Sequence, residues 1–231
     1  MDRQQLVKEV SRIILKYIQP ERIYLYGSEQ NGEATATSDI DIAFSGQKSD
    51  DLEPIFADVK ALPSLLKVDI VNLAWCEERF ANRVKDTGRV LYSANKQLRF
   101  EDGLYNYIRA FLRFEKVVEG REQFVADGYG DIYLDLAVKR FEFTFEMSWK
   151  ALKRYLDYTG IVCKNPRSCF QEAYAQGLLE NETVWLNMIE MRNSSSHIYN
   201  EQEIRGILDK LKECSAAFGQ LKERLEEQLS E

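Results

Sequence analysis

A Gly-Ser pair followed by two carboxylates has the residue types and spacing that suit chemistry on phosphates. Gly27 and Ser28 are followed, after ten residues, by Asp39 and Asp41, in the pattern G-S-x10-D-x-D. In a strand, residues two apart point to the same side, so the two carboxylates would face one way and the isoleucines beside them the other. Magnesium suits such a pair, because it prefers oxygen ligands and is often held by one or two carboxylates plus substrate phosphates.

The Gly-Ser pair would contribute on the phosphate side. Gly27 lets the backbone approach a phosphate closely. Ser28 would supply a hydroxyl and an amide at the start of the next helix, where anions bind well. A lone D-x-D or a lone Gly-Ser is a weak signal, but the two together between apolar strands favour a functional site.

This motif resembles that of the nucleotidyltransferase superfamily related to DNA polymerase beta, and its minimal bacterial form in particular. The resemblance covers about residues 1–98 and implies a third carboxylate on a neighbouring strand, for which Asp69 in LLKVDIVNL is the candidate. It implies transfer of a nucleoside monophosphate, with ATP as the expected donor, to an acceptor hydroxyl. Asp39 and Asp41 would bind Mg2+ (or Mn2+), and Asp69 would bind metal or help to deprotonate the acceptor.

The loop after Gly-Ser departs from the family pattern. The family usually carries basic residues there, whereas this sequence has Glu29, Gln30, Asn31 and Gly32. Without those cations we expect a weaker electrostatic hold on a triphosphate, so low activity or different handling of the nucleotide are both open.

The apolar pattern predicts an α/β domain followed by an all-α domain. Helices are predicted at 2–18, 51–61 and 75–86, and strands at 22–26, 38–44, 67–72 and 89–93. After a polar linker at 94–101, helices are predicted at 102–125, 131–159, 166–177, 182–193 and from 200 onward. We therefore predict a nucleotidyltransferase-like domain with a small mixed sheet at 1–98 and a helical bundle at 102–231.

A second group of functional residue types lies between the last two predicted helices, in MRNSSSHIYN. It contains Arg192, Asn193, Tyr199 and His197, which is the only histidine of the chain. Arg192 and His197 are five residues apart, about 140° around an ideal helix, so they share a face only if the helix bends or ends there. From the residues alone, a helix end with Arg and His capping carbonyls is an equally good interpretation.

The pattern R-x4-H-x-Y in a helical bundle resembles the HEPN domain, specifically the type that partners minimal nucleotidyltransferases, over about residues 102–228. The resemblance implies a metal-independent ribonuclease in which Arg192 stabilises the charged phosphate and His197 acts as acid or base. Asn193 matches a polar residue that many HEPN motifs carry. In such pairs the transferase adds AMP to the motif tyrosine, here Tyr199, and silences the ribonuclease.

The resemblance also implies a homodimer through the helical half, because RNA cleavage needs an acid and a base and each chain has one histidine. The leading hypothesis is an adenylyltransferase that modifies its own HEPN domain, like a toxin–antitoxin pair fused in one chain. One alternative is a nucleotidyltransferase for a small hydroxyl compound such as an aminoglycoside. Another is a HEPN ribonuclease with an inactive transferase scaffold, slightly favoured by Glu29 and Asn31.

Charge and cysteine usage narrow these classes further. The 231 residues have a net charge of −7; residues 1–99 carry 14 basic and 15 acidic side chains, which leaves 17 and 23 of the totals of 31 and 38 for residues 100–231. This acidity argues against a broad nucleic-acid footprint but allows a local RNA site. Four cysteines without C-x-x-C spacing predict reduced thiols, with neither a zinc site nor a disulfide framework. No signal peptide and no apolar run of ~20 residues are present, so we expect a cytoplasmic protein without a membrane span.

Overall fold

The computed structural model describes residues 1–27, 38–46, 52–194 and 201–230, apart from the side chains of residues 131, 194, 201–209 and 230. The chain divides into two compact units, Met1–Leu98 and Arg99–Glu231. The described strands all lie in the first unit, and the second is described as helices and short connections. This confirms the predicted α/β domain followed by a helical domain.

The first unit is built around a four-stranded mixed sheet. Its elements are α1 (Arg3–Tyr17), β1 (Arg22–Tyr26), β2 (Ile40–Ser45), α2 (Glu53–Lys60), β3 (Val68–Asn72), a 3-10 turn (Leu73–Trp75), α3 (Glu78–Thr87) and β4 (Arg89–Ser93). The strand order is β3-β2-β1-β4. Strand β1 is antiparallel to both β2 and β4, whereas β2 and β3 are parallel.

The two faces of this sheet bury different side chains. On one face Ile40, Ile42 and Phe44 pack into a core with apolar residues of α1 and α2. On the other face Tyr24 and Ala43 pack against apolar residues of α3. Because side chains alternate along a strand, the odd-numbered residues of β2 lie on the α3 face.

The second unit is a helical bundle with an aromatic core. Its helices are α4 (Lys96–Glu119), α5 (Arg121–Ala126), α6 (Gly130–Tyr158), α7 (Pro166–Ala175), α8 (Glu182–Ser194) and α9 (Glu201–Ser230). Phe218 of α9 lies at the centre, with ring contacts to Phe114, Phe141 and Trp185 at centroid distances of 5.7–6.2 Å. Phe141 and Phe145 of α6 are both buried in this core.

The predicted linker at 94–101 is wrong, because α4 begins at Lys96. The side chain of Asn95 accepts a hydrogen bond from the backbone N–H of Leu98 at 2.8 Å and so caps the helix start. The segment 94–101 contains no Gly or Pro that would oppose a helix. The predicted helix at 102–125 is instead divided at Gly120, where the chain leaves α4 and starts α5.

The prediction of four reduced cysteines is also wrong for two of them. Cys163 and Cys169 form a disulfide with a Cα–Cα distance of 5.1 Å. The capping box of α7, between Asn165 and Ser168, turns the chain so that residues six apart come together. Cys76 and Cys214 are free thiols.

None of the helices in the described ranges is both long enough and apolar enough to span a membrane.

Candidate active sites

The carboxylates of the first unit meet on the α3 face of the sheet, where β2 begins. Asp41 lies opposite Tyr26 in the antiparallel β1–β2 pair and opposite Asp69 in the parallel β2–β3 pair. Asp41 is half-buried, whereas Asp69 and Asp39 are exposed, and Asp39 immediately precedes β2. Burial and the charges of Asp69 and Asp39 raise the pKa of Asp41, and Arg3 opposes them. The structure thus brings the three predicted carboxylates close enough to influence one another.

Arg3 holds the segment that carries Asp39. Its guanidinium donates hydrogen bonds to the backbone carbonyls of Ser38 at 2.8 Å and Asp39 at 3.0 Å. A positive charge in the first turn of a helix interacts unfavourably with the helix dipole. The contacts of Arg3 with Ser38 and Asp39 therefore explain why an arginine occupies this turn of α1. The cation in that first turn was the available sequence signal for this residue, which the motif analysis missed.

Gly27 lies directly against the carboxylate of Asp41. Its φ is +76°, and a Cβ added there would lie 2.1 Å from Oδ2 of Asp41. The position therefore requires glycine for two reasons, the left-handed backbone and the close approach of the carboxylate. Ser28, the other residue of the predicted phosphate-binding pair, lies outside the described residues.

The carboxylates at this site are of the ligand type that magnesium binds. Asp39, Asp41 and Asp69 offer the hard carboxylate oxygens that Mg2+ prefers. Within the described ranges, no group of three or more His, Cys, Asp or Glu side chains converges to hold an ion by itself. Magnesium usually takes its remaining oxygens from water and phosphates, so a partial carboxylate set agrees with its ordinary binding.

An aromatic and a cationic residue that the sequence analysis missed flank these carboxylates. The ring of Tyr26 meets Phe80 of α3 edge-on at 5.7 Å, and the guanidinium of Arg83 lies over the Phe80 ring at 5.3 Å. Burial, followed by the charges of Asp41, Asp69 and Cys76, raises the pKa of Tyr26 to about 12, and Arg83 acts in the opposite direction. Arg83 therefore contributes positive charge to the neighbourhood of the carboxylates.

The second predicted site is described in part. Arg192 and Asn193 are exposed in the last turn of α8, which is anchored in the core by the buried Met188 and Met191. His197 and Tyr199 lie outside the described residues.

Glu146 of α6 faces the charge of Arg192. Its carboxylate accepts a hydrogen bond from Trp149 Nε1 at 2.9 Å and pairs with Lys150 Nζ at 2.9 Å. Burial works to raise the pKa of Glu146, but the bonds from Lys150 and Trp149 and the charges of Lys150 and Arg192 hold it below its ordinary value. Sequence reasoning also missed Glu146, because only the packing of α6 against α8 brings it near Arg192.

Two family models match the two parts of the chain. Residues 8–97 match the model described as polymerase beta, nucleotidyltransferase. Residues 102–227 match the model described as nucleotidyltransferase substrate binding protein like. The second match covers more than half of the 231 residues.

The chain is similar to one curated protein of Haemophilus influenzae, named "Probable ribonuclease HepT". The two are 30% identical over 97 residues, which cover 38% of this chain and 66% of that relative, just under two thirds of its length.

Two solved structures are similar to parts of the chain. A crystal structure from Thermus thermophilus is 29% identical, with 52% of this chain and 98% of that chain covered and a TM-score of 0.46. A candidate nucleotidyltransferase from Sulfolobus solfataricus is 22% identical, with 38% and 78% covered and a TM-score of 0.28. These TM-scores are too low to argue for a shared architecture, so the assignment rests on the family models.

The resemblances expected from the two motifs are thus confirmed: the chain has a polymerase beta-type nucleotidyltransferase domain at its N-terminal side and, by its helical domain, belongs to the nucleotidyltransferase substrate-binding protein-like family.

Proposed function

We propose that this chain is a magnesium-dependent adenylyltransferase that transfers AMP from ATP to Tyr199 of its own helical domain. The observation that carries the proposal is the placement of Asp41 opposite Asp69, with Gly27 against the Asp41 carboxylate, inside a nucleotidyltransferase domain. Carboxylates this close repel one another unless cations lie between them, and metal ions that also bind a polyphosphate would supply those cations.

The proposed step joins the hydroxyl oxygen of Tyr199 to the α-phosphorus of ATP. The bond from that phosphorus to the bridging oxygen breaks, and pyrophosphate leaves. The hydroxyl proton goes to Asp69, which is exposed on the edge strand β3 and so can meet an acceptor. A magnesium (or manganese) ion held by Asp39 and Asp41 would supply positive charge for the triphosphate and for the leaving pyrophosphate, while Asp69 takes the proton.

The helical domain is proposed as both acceptor and ribonuclease. Arg192 would stabilise a phosphate, His197 would act as acid or base, and Asn193 would support them. A homodimer through this domain would bring two copies of the motif together. An AMP group on Tyr199, two residues from His197, would keep RNA from the ribonuclease motif by its bulk and its negative charge. Because the two domains share one chain, acceptor and transferase are present in equal numbers.

The deciding experiment is the intact mass of the purified chain before and after incubation with ATP and magnesium, with adducts mapped to residues. We expect one AMP increment on Tyr199, and none in the Asp39→Ala/Asp41→Ala variant. The Asp58→Asn variant, changed at a partly exposed carboxylate of α2, is the matched control and should be labelled like wild type. Labelling that is absent in wild type, or that persists without Asp39 and Asp41, would contradict the proposal.

A second candidate is a ribonuclease whose transferase domain is an inactive scaffold. Glu29 and Asn31 in the loop after Gly-Ser favour it slightly. This protein would cut RNA and label nothing. In a third outcome, only an added small hydroxyl compound such as an aminoglycoside becomes labelled. The chain would then be a transferase whose acceptor is that kind of compound and not Tyr199.

A further inference from the structure

A groove of about 630 Å³ opens where the C-terminal half of α4, α5 and the start of α6 meet. It lies within the second unit and is separate in sequence from both motifs. We call it the cationic groove. The lining side chains that matter here are Arg113, Lys116, Phe124, Tyr129, Leu136 and Arg140.

The cations of this groove have no protein partners in the part of the chain that the structure describes. The side chains of Arg113, Lys116 and Arg140 form no ion pair there, whereas cations elsewhere on the bundle, such as Lys222 with Glu226, do. The carboxylate in the lining, Asp127, accepts a hydrogen bond from Gln123 Nε2 at 2.9 Å instead. Three cations against one carboxylate leave the groove with a net positive charge in a domain with excess acid, and this favours an external anion.

The rest of the groove is aromatic and aliphatic. Phe124 packs against Tyr133 with ring centroids 5.6 Å apart, which fixes its ring. Gly128, at φ +82°, turns the chain from α5 toward α6, and the N–H of Tyr129 donates to the carbonyl of Phe124 at 2.9 Å. This turn holds the backbone of Tyr129 while 54% of the residue stays exposed. A flat ligand can therefore stack there without a large ordering cost.

We propose that the cationic groove binds a nucleotide, with its base against Tyr129 and Phe124 and its phosphate against Arg113, Lys116 and Arg140. A nucleotide combines a flat ring system with a compact negative charge, which are the two features that the lining complements. The volume lies within the range of ordinary small-molecule sites. A free mononucleotide and one residue of a single-stranded RNA share this chemistry, and the test below separates the two sources.

Binding is measured on the full chain in EDTA, so that the carboxylate site has no metal with which to hold a nucleotide. The probes are AMP, followed by calorimetry, and a labelled single-stranded RNA of about ten nucleotides, followed by fluorescence anisotropy. The groove variants are Arg113→Ala/Lys116→Ala and Tyr129→Ala. The matched control, Lys164→Ala/Lys222→Ala, removes the same charge from other surfaces of the helical domain.

We expect each groove variant to raise the Kd of the bound probe about tenfold, while the control stays within about twofold of wild type. For RNA, the Arg113→Ala/Lys116→Ala change should also reduce the salt slope of log K by up to about 1.4, because each phosphate contact to a single strand contributes about 0.7. If the groove variants lose only RNA binding, the ligand of the groove is RNA. If they lose only AMP binding, the ligand is a free nucleotide.

The proposal is overturned if neither probe binds wild type, or if groove and control variants bind alike. RNA binding that is lost in Arg192→Ala but unchanged in both groove variants would likewise place the RNA at the α8 motif and not in the groove. None of these outcomes depends on transfer of AMP, so this test decides the groove proposal independently of the transferase proposal.

Discussion

Asp41 and Asp69 are direct partners in the parallel ladder between β2 and β3. Like charges directly opposite each other destabilise a sheet, and Asp39 adds a third carboxylate nearby. Functional sites commonly retain such unfavourable groups at a cost in stability. The carboxylates should therefore oppose folding of the transferase domain and yet be needed for transfer.

The Asp41→Asn variant should separate these two effects. Replacing one charge removes the repulsion, so we expect the free energy of unfolding in EDTA to rise by about 0.5 kcal/mol. The same variant should lose self-labelling with ATP and magnesium, because a metal ligand is gone. Urea unfolding and intact mass measure the two quantities.

The control for this prediction is Asp58→Asn. The Asp58 carboxylate accepts hydrogen bonds from Lys16 Nζ and Tyr17 Oη, both at 2.8 Å, so its loss should leave stability unchanged or lower. Equal stability of Asp41→Asn and wild type in EDTA would show that the repulsion is already relieved by solvent.

Gly27→Ala should destabilise the first unit and abolish transfer. The new Cβ would meet Oδ2 of Asp41 at 2.1 Å, in addition to the cost of a positive φ. Gly160→Ala is the matched control, because Gly160 has φ +90° and open space around it. We expect about 1 kcal/mol for the control and clearly more for Gly27→Ala in urea unfolding. Equal costs would mean that Asp41 can move aside.

Arg83→Ala should weaken the binding of ATP. Arg83 is an exposed cation over Phe80, which contacts Tyr26 beside the carboxylates, so it can compensate for the basic residues missing from the Gly-Ser loop. We expect KM for ATP to rise about tenfold, with kcat little changed, and Arg83→Lys to recover part of the loss. Arg79→Ala, at an exposed arginine one turn earlier in α3, is the control and should leave KM as it is.

The two parts of this carboxylate site differ in how far the sequence predicts them. Asp69 was predicted from the family resemblance, which implies a third carboxylate on a neighbouring strand, and its place between Val68 and Ile70 indicated its side of that strand. Its position directly opposite Asp41 depends on the register of the parallel pair, which only the structure gives. The proximity of Tyr26, Phe80 and Arg83 depends on how α3 crosses the sheet, which periodicity does not specify. For the same reason Glu146 became visible beside Arg192 only in the packed bundle.

In the helical bundle, too, the sequence predicts the helices themselves better than the connections at their ends. The helices of the second unit follow their apolar spacing, and α7 begins at Pro166, where the sequence predicts a helix start. The disulfide between Cys163 and Cys169 depends on how that capped turn folds back, and six-residue spacing alone does not predict it. The α4 start was missed because a polar composition was taken as a linker, although nothing in it opposes a helix.

Reduction of the disulfide should destabilise the helical domain. In the chain-entropy account, a bridge closing a loop of six residues contributes about 2 kcal/mol. We expect urea midpoints to fall when a reductant is added and the Cys163→Ser/Cys169→Ser variant to show the reduced value in both conditions. A reductant effect that persists in this variant would have to come from another source.

Maleimide labelling gives the same prediction an independent check on the cysteines. Burial raises the pKa of both free thiols, and for Cys214 it raises the pKa to about 12. Cys76 is half-buried and Cys214 is buried, so we expect slow labelling of Cys76 in the native chain and labelling of both after unfolding. Unfolding with a reductant should label all four cysteines.

Alkaline pH should destabilise the bundle through Tyr107. Its ring is fully buried, and its hydroxyl donates to the carbonyl of Phe218 at 2.6 Å. Burial raises the pKa of Tyr107 well above its ordinary value. Above about pH 10 the unfolded chain releases this proton while the folded chain keeps it, so the folded state binds more protons and stability falls as pH rises.

The matched variant is Tyr107→Phe, which keeps the ring and removes the hydroxyl. At neutral pH it should cost about 1 kcal/mol, because one hydrogen bond to Phe218 is lost. Between about pH 9 and 11 its free energy of unfolding should fall less steeply than that of wild type, since one linked proton is gone. Parallel pH profiles for the two proteins would mean that Tyr107 ionises in the folded bundle as it does in the unfolded chain, and the packing around Phe218 would then have to admit a phenolate.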